Sequence, residues 1–281
     1  MSSLNYSERF ASHPDDVRNY DTSELRNHFL VEKLFVPGQI NLVYSHFDRF
    51  IVGGVVPVKG EMILETIDPL KVDYFLERRE LGIINIGGEG TVVADAQRYE
   101  LSYKEALYLG KENRNVSFIS LDAKNPACFY MNCAPAHLKF PNRLIRRDEA
   151  EVAENGTMET SNHRKINKLI INSIVKTCQL QMGLTELQSG SVWNTMPAHL
   201  HSRRMEVYLY FEVADGQAIC HFMGQPHETR HIWLKNKEAV ISPDWSIHSA
   251  AGTGNYSFIW GMAGENLDYS DMDIVQPNQL K

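Results

Sequence analysis

The feature that most constrains the fold is a series of short apolar segments separated by Gly, Asp or Pro. These segments are rich in Val, Ile, Tyr, Phe and Trp, the residues favoured in β-strands. The clearest lie at residues 81–86, 90–94, 117–121, 205–213, 217–223 and 256–261. Helical periodicity is weak outside residues 22–31, where Asp21 or Thr22 could cap a short helix. The sequence therefore predicts an all-β protein, a sandwich or barrel.

Similar patterns occur in the two halves of the chain. Residues 78–81 (RREL) and 203–206 (RRME) each open a pair of apolar segments. The turns between the paired segments, at residues 87–90 and 215–216, contain the Gly-Gly and Asp-Gly signals that are typical of hairpins. We therefore predict a hairpin at each place and two similar barrels in one chain.

A length of 281 residues accommodates one large domain or two smaller ones. The stretch 143–160 is polar and charged, shows no strand pattern, and is the predicted linker. We accordingly expect an N-terminal barrel over residues 1–150 and a C-terminal barrel over residues 151–281.

Composition limits the possible partners. The chain has 28 Lys and Arg against 35 Asp and Glu, a formal net charge of −7, with no basic block. This argues against nucleic acid and against an anionic membrane surface. No apolar run reaches the ~18–20 residues of a membrane span, and the first residues show no secretory signal. We expect a cytoplasmic protein with a small-molecule ligand, whose thiols are buried and not bridged: Cys128, Cys133, Cys178 and Cys220.

One spacing of His and Glu residues predicts a metal site. His199 and His201 are two residues apart, so in a strand their side chains share a face. A turn after His201 would bring Glu206 to them at the start of the next strand. A later strand after Pro243 would add His248. Three imidazoles and one carboxylate suit a divalent first-row metal and leave positions open for water or substrate.

Strand alternation also predicts which neighbours share this site. Tyr208 and Tyr210 follow Glu206 at even spacing and would face the barrel interior. Trp193 and Thr195 lie an even number of residues before His199, so their side chains would share its face if one unbroken strand contains all three residues. Core filling is the alternative role for the aromatic residues, and exposure to solvent is the alternative for each basic residue. The basic residues that could hold an anionic ligand are Arg164, Lys168, Arg203 and Arg204.

The quartet His199, His201, Glu206 and His248 matches the cupin pattern H-x-H-x(3,4)-E followed much later by His. Longer strings, among them YFLERRELGIINIGGEG, TSNHRKINK, WNTMPAHLHSRRMEVYLYF and VISPDWSIHS, make the chain resemble the 5-keto-4-deoxyuronate isomerase family, the KduI/IolB-type bicupin enzymes. The similarity extends from about residue 19 to residue 273. It implies two cupin-type barrels, a metal bound by the quartet, zinc as the usual metal, and a cytoplasmic homohexamer. The N-terminal barrel, which has no ligand set, is then structural or oligomerising.

The resemblance implies an aldose–ketose isomerisation in pectin and uronate breakdown, from 5-dehydro-4-deoxy-D-glucuronate to 3-deoxy-D-glycero-2,5-hexodiulosonate. A metal acting as a Lewis acid would stabilise an enediolate while a base moves the proton from C2 to C1. The sequence does not identify that base or any other catalytic residue. Three alternatives stay open: a 5-deoxy-glucuronate isomerase of inositol catabolism, a metal-dependent cupin dioxygenase, and a non-catalytic cupin that binds sugars.

Overall fold

A computed structural model describes residues 4–265, 267 and 271–281. Strands dominate these residues, which confirms the all-β prediction. The strands are β1 (Leu4–Arg9), β2 (Leu30–Val31), β3 (Ile40–Ser45), β4 (Ile51–Val55), β5 (Met62–Ile63), β6 (Arg79–Asn85), β7 (Gly90–Ala94), β8 (Gln97–Leu101), β9 (Ala106–Leu109), β10 (Val116–Ser120), β11 (Phe129–Pro135), β12 (Arg143–Ile145), β13 (Glu151–Asn155), β14 (Arg164–Ile170), β15 (Gln181–Leu187), β16 (Trp193–Asn194), β17 (Ala198–Leu200), β18 (Arg204–Phe211), β19 (Ile219–Gln225), β20 (Glu228–Leu234), β21 (Glu238–Ser242), β22 (Ser249–Gly252), β23 (Ser257–Gly264) and β24 (Asp273–Val275). The α-helices are α1 (Pro14–Val17) and α2 (Thr22–Phe29), and 3-10 turns lie at Asp68–Leu70, Arg147–Glu149 and Pro277–Gln279.

The first of two compact units comprises residues 4–8, 33–150 and 169–182. Its larger sheet has the order β1-β3-β4-β11-β6-β9-β12, and its smaller sheet has the order β5-β10-β7-β8. Alternate side chains of these strands form one apolar core that includes Leu81 and Val92. The rings of Phe118 and Phe129 meet in this core, with their centroids 5.5 Å apart. Burial of these side chains is the main force that stabilises the unit.

The second unit comprises the described residues of 9–32, 151–168 and 183–281. Its larger sheet has the order β13-β14-β15-β23-β18-β21-β2, and its smaller sheet has the order β16-β22-β19-β20. The order of connections repeats that of the first unit, strand for strand, apart from β2. A two-stranded ribbon of β17 and β24 completes the unit. The boundary between residues 150 and 151 stays a prediction.

The two predicted hairpins are wrong. β6 and β7 lie in different sheets, and so do β18 and β19, so each predicted turn carries the chain from one sheet to the other. The hairpins are instead β7–β8 and β19–β20. Gly88 explains the misleading turn signal, because a Cβ there would lie 2.0 Å from the carbonyl oxygen of Asn125. Glycine is needed at this position because another part of the backbone passes close to it. In a sequence, a glycine required for such packing looks the same as a glycine required for a hairpin turn.

The predicted linker at residues 143–160 is also wrong in part. It contains β12, which pairs with β9, and β13, which pairs with β14. Both are edge strands of their sheets, and most residues of β13 are exposed. Charged residues on an edge strand prevent pairing with other chains, and they also remove the apolar alternation by which a strand is recognised in a sequence.

The predicted helix at residues 22–31 is confirmed over Thr22–Phe29. Asp21 caps it: its carboxylate accepts a hydrogen bond from the Glu24 amide, and the Glu24 carboxylate accepts one from the Asp21 amide, each at 2.8 Å. Leu30–Val31 forms β2 and pairs with β21 instead of continuing the helix. Pairing of this strand with β21 therefore takes the place of the last half-turn of the predicted helix.

All four cysteines are free, and all but Cys178 are buried. The absence of disulfides is as predicted. No helix among the described residues is long and apolar enough to cross a membrane.

A buried carboxylate organises one side of the first unit. Glu80, on β6, has no exposed surface. Its carboxylate accepts hydrogen bonds from the Tyr108 hydroxyl at 2.8 Å and from three consecutive backbone amides, those of Cys178, Gln179 and Leu180, at 2.8–2.9 Å. One side chain thus satisfies four donors and fixes the loop before β15.

We predict that Glu80→Ala lowers the free energy of unfolding by about 3–5 kcal/mol. Each buried donor left without an acceptor costs about 1–3 kcal/mol, and water that enters the space left by the side chain offsets a part of that cost. Urea denaturation followed by circular dichroism measures the change. Glu89→Ala, at an exposed position in the same region, is the control and is expected to stay within about 0.5 kcal/mol of the parent. Equal stability of the two variants would contradict the anchoring role.

Candidate metal centre

Two consecutive strands and one turn of the second unit carry the four predicted ligands. His199 lies on β17 and His201 directly follows it. The chain turns at residues 202–203 and enters β18, whose third residue is Glu206. His248 precedes β22, after the Pro243 turn. Glu206 is held between Ser242 on β21 and Met262 on β23 by strand pairing.

The structure brings these four side chains together. The Nε2 atom of His248 lies 3.0 Å from Glu206 Oε2 and 3.0 Å from His199 Nε2. The Nε2 atom of His201 lies 3.3 Å from the same Glu206 oxygen. One ligand atom from each residue falls within 4.8 Å of the others. His201, Glu206 and His248 are buried, and His199 is partly exposed.

The outward nitrogens of two imidazoles have partners of their own. His201 Nδ1 lies 3.3 Å from the backbone oxygen of Arg204, and His248 Nδ1 lies 3.4 Å from the hydroxyl of Ser242. A proton on Nδ1 that is donated outward leaves the lone pair of Nε2 directed at the centre. Histidines that bind metals usually have this arrangement, which fixes the ring orientation and the tautomer.

Burial and charge set the protonation states. Burial lowers the pKa of His199 and of His248, so both rings are neutral near pH 7. Burial alone would raise the pKa of Glu206, but the close contacts of its carboxylate with His248 and His201 outweigh burial and hold the pKa below its usual range. Neutral imidazoles and an ionised carboxylate are the donor set of a divalent first-row metal, so these four residues could hold a metal ion.

Three of the four residues, His199, His201 and Glu206, line a cavity of about 560 Å³. Alternate residues of the larger sheet point into it, including Arg204, Glu206 and Tyr208 from β18 and Phe258 and Trp260 from β23. Glu206 is the only carboxylate among the described residues that line this space. The cavity therefore combines a mainly apolar lining with three basic residues and a single carboxylate, which suits a small anionic ligand.

Three of the four basic residues singled out in the sequence line the cavity. Arg203 does not: its guanidinium forms an exposed ion pair with Glu265 at 2.9 Å. Arg204 is buried, and its Nη2 donates to Asp271 Oδ1 at 2.7 Å.

The other two basic residues differ in their partners. Lys168 is paired with Glu151 at 2.5 Å. Arg164 donates from Nη1 to the backbone oxygen of Asn162 at 2.9 Å. Burial lowers the pKa of the Arg164 guanidinium, which nevertheless stays protonated because its ordinary pKa is so high.

Two of the four predicted neighbours share the cavity, but of these two only Tyr208 is on an unbroken strand with a predicted ligand. Tyr208 and Thr195 both line the cavity, and their hydroxyl oxygens are 3.1 Å apart. Tyr210 is buried deeper, where its hydroxyl lies 2.7 Å from His221 Nδ1. Trp193 lies elsewhere and stacks on Phe222 with ring centroids 5.7 Å apart.

Alternation fails at Trp193 because the strand is interrupted. β16 ends at Asn194 and β17 begins at Ala198, and the first of the three residues between them, Thr195, has a positive φ of 45°. Parity counted across such a break carries no information.

Sequence reasoning missed one wall of the cavity. β24 pairs with β17, so that Ile274 lies opposite His199. Ile274 lines the cavity from this strand, and Met272 and Gln276 line it from the positions on either side of the strand. A three-residue strand in a polar segment has no periodic signal, so the sequence offered nothing by which to find it.

Comparison with known proteins identifies relatives over almost the full length. A family model described as the KduI/IolB family matches residues 30–276. The chain is 60% identical over 279 residues, 99% of this chain and 100% of the relative, to a protein of Formosa agariphila named 4-deoxy-L-threo-5-hexosulose-uronate ketol-isomerase. A protein of Escherichia coli with that name is 52% identical over 275 residues, 97% of this chain and 99% of the relative.

Solved structures share the fold. An iolb-like protein of Salmonella typhimurium LT2 superposes with a TM-score of 0.65 at 14% identity, covering 80% of this chain and 87% of that one. A mutant of Bacillus subtilis oxalate decarboxylase gives a TM-score of 0.56 at 11% identity, covering 80% and 71%. Both are cupin-type proteins, so the predicted cupin-type fold is confirmed.

We predict that His248→Ala loses its bound divalent metal, because one of four donors and its hydrogen bond to Ser242 disappear together. Ser242→Ala keeps the ligand and should weaken metal affinity by about 10–100-fold, the usual effect of losing an outer hydrogen bond. Elemental analysis after dialysis against a graded chelator measures both. His231→Ala, at an exposed position, is the matched control. Full metal content in folded His248→Ala would exclude this residue as a ligand.

Proposed function

The chain belongs to the KduI/IolB family, and we propose that it isomerises 5-dehydro-4-deoxy-D-glucuronate to 3-deoxy-D-glycero-2,5-hexodiulosonate in the breakdown of pectin. Full-length relatives at 52–60% identity that are named as ketol-isomerases support an isomerase. The observation that carries the proposal is the convergence of three imidazoles and one carboxylate at a cavity that three basic residues also line.

We propose one divalent metal per subunit, held by His199, His201, Glu206 and His248. The donor atoms, their burial and the hydrogen bonds to Ser242 and to the Arg204 backbone support this assignment. Zinc is proposed from the family resemblance. The bound metal would act as a Lewis acid that polarises the substrate carbonyl.

The protein groups around the quartet supply hydrogen-bond donors and an apolar surface that can orient a substrate. Burial holds the pKa of Tyr208 well above its usual range, so its hydroxyl can donate a hydrogen bond to a substrate oxygen, as can Thr195 beside it. Phe258 and Trp260 form an apolar wall of the cavity, against which the carbon chain of a substrate can pack.

The nearest alternative is a 5-deoxy-glucuronate isomerase of inositol catabolism. The iolb-like structure that shares the fold is only 14% identical to this chain, whereas the proteins named as ketol-isomerases are several times more similar. A non-catalytic sugar-binding cupin is a weaker alternative, because such a protein does not need the four converging donors.

Three further features are proposed from the same resemblance. They are a cytoplasmic location, a homohexamer, and a structural or oligomerising role for the N-terminal half. The first unit supports the last of these, since the position equivalent to Glu206 in the RREL and RRME segments is Leu81, which is a core residue.

We predict that the purified protein isomerises 5-dehydro-4-deoxy-D-glucuronate in the absence of oxygen, and that chelation reduces the rate at least about a thousand-fold. Loss of a Lewis acid removes several kcal/mol of transition-state stabilisation. Product formation is followed by chromatography, and added zinc should restore it. Preference for 5-deoxy-glucuronate would favour the alternative isomerase, and a requirement for oxygen would indicate a dioxygenase.

The hydrogen transfer between C2 and C1 can occur by two routes, through an enediol of the substrate or by a hydride shift. We propose the enediol route, in which the hydrogen leaves C2 as a proton and can exchange with solvent. The reaction in D2O, analysed by NMR, should place deuterium on the hydroxymethyl carbon of the product, which is C1 of the substrate and C6 in the numbering of the product. Complete absence of deuterium, also at partial conversion and over a range of pH, would favour the hydride shift.

A further inference from the structure

We propose that Arg164 binds the carboxylate of the substrate and selects a uronate over an uncharged sugar. This inference rests on the proposed isomerase function and assigns a residue to the end of the substrate remote from the reacting carbons. It depends on three observations: where β14 directs its side chains, which basic residues of the cavity already have an acidic partner, and what lies between Arg164 and the quartet.

The position of Arg164 follows from the alternation of β14. Arg164, Ile166 and Lys168 are two residues apart and all line the cavity. On the neighbouring strand β13, Asn155 pairs with Arg164 in register and also lines the cavity. The Arg164 side chain is therefore part of the same concave surface as the quartet.

Charge balance distinguishes Arg164 from the other cations of the cavity. Arg204 is neutralised by Asp271 and Lys168 by Glu151. Among the described residues, no carboxylate lies within ion-pairing distance of Arg164, whose hydrogen bond to the Asn162 carbonyl uses only one of its five N–H donors. A half-buried guanidinium without a counterion is unfavourable, and an entering carboxylate would relieve this.

The span between Arg164 and the quartet fits a six-carbon acid. β14 is separated from β18 by β15 and β23, which places their backbones roughly 14 Å apart at about 4.8 Å per strand. Side chains extend into the cavity from both strands and shorten this gap. Tyr208 is close enough to interact electrostatically with both Arg164 and Glu206. An open hexose chain, about 6 Å from C1 to C6, can bridge the remainder.

The chemistry of the two ends then defines the orientation of the substrate. A guanidinium binds a carboxylate through two parallel hydrogen bonds, which fix direction as well as position. With C6 held by Arg164, the C1 aldehyde and the C2 hydroxyl face His199, His201, Glu206 and His248. Arg164 acts here as a residue for binding and positioning, since the hydrogen transfer takes place at the other end of the molecule.

The test compares two substrates, the uronate and its uncharged methyl ester. For Arg164→Gln we expect kcat/KM on the uronate to fall about 10–100-fold, chiefly through KM, as expected for a lost hydrogen-bonded charge pair. The methyl ester should be a poor substrate for the parent enzyme and equally poor for the variant. Arg164→Lys should keep a part of the preference for the uronate, since it keeps the charge but not the fork. Metal content should be unchanged in both variants.

Arg203→Gln is the matched control, since Arg203 is an exposed arginine outside the cavity, and it should behave as the parent on both substrates. A fall of equal size on uronate and ester in the Arg164 variants would indicate a structural role through Asn162 and overturn the proposal. Unchanged kinetics on both substrates would overturn it as well. If Arg164→Gln does not fold, Arg164→Lys provides the test. A lower ratio of uronate to ester turnover than in the parent enzyme would support the proposal, and an unchanged ratio would overturn it. An inactive, metal-loaded parent enzyme would instead refute the proposed function itself.

Discussion

The approach of the His201 and His248 imidazole nitrogens to one Glu206 oxygen, at 3.0–3.3 Å in a buried site, with His199 3.0 Å from His248, is the interaction on which the arrangement of the second unit depends. Such a cluster is costly unless the outward polar atoms are satisfied and the inward ones share a cation. The strands meet both needs. The first residue of β18, Arg204, supplies a carbonyl oxygen to His201, β21 supplies Ser242 to His248, and alternation along β18 directs Glu206 inward.

The first unit shows what the same sheet order does without this cluster. Leu81 occupies the position on β6 that Glu206 has on β18, and it pairs with Leu109 where Glu206 pairs with Ser242. An apolar residue there joins the core. The buried carboxylate of this unit, Glu80, is one position earlier and accepts hydrogen bonds from a loop instead of facing a cavity. A shift of one residue along a strand thus separates a structural carboxylate from a candidate ligand.

The sequence predicted those features of the fold and of the site that depend only on the spacing of neighbouring residues. The quartet was found because i, i+2 neighbours share a strand face, and α2 was found from its cap. Features that depend on contacts between residues far apart in the sequence could not be predicted. The turn at Gly88 has the same composition whether the chain forms a hairpin or changes sheet. β13 is disguised by the charges of an edge strand. Nothing in the sequence favours Arg164 over Arg203 as a ligand for an anion. Only partners that are distant in sequence, such as Glu265 for Arg203, show which of the two is paired at the surface.

The strand β2 belongs to the second unit, where it pairs with β21, although it lies within the first 32 residues of the chain. In the first unit the equivalent edge is formed by β12, which follows its sheet in sequence. During synthesis on the ribosome, β2 therefore emerges long before the strand it will pair with. The segment from α1 to β2 must stay available while the entire first unit is translated, so the sheet that carries Glu206 is completed only near the end of translation.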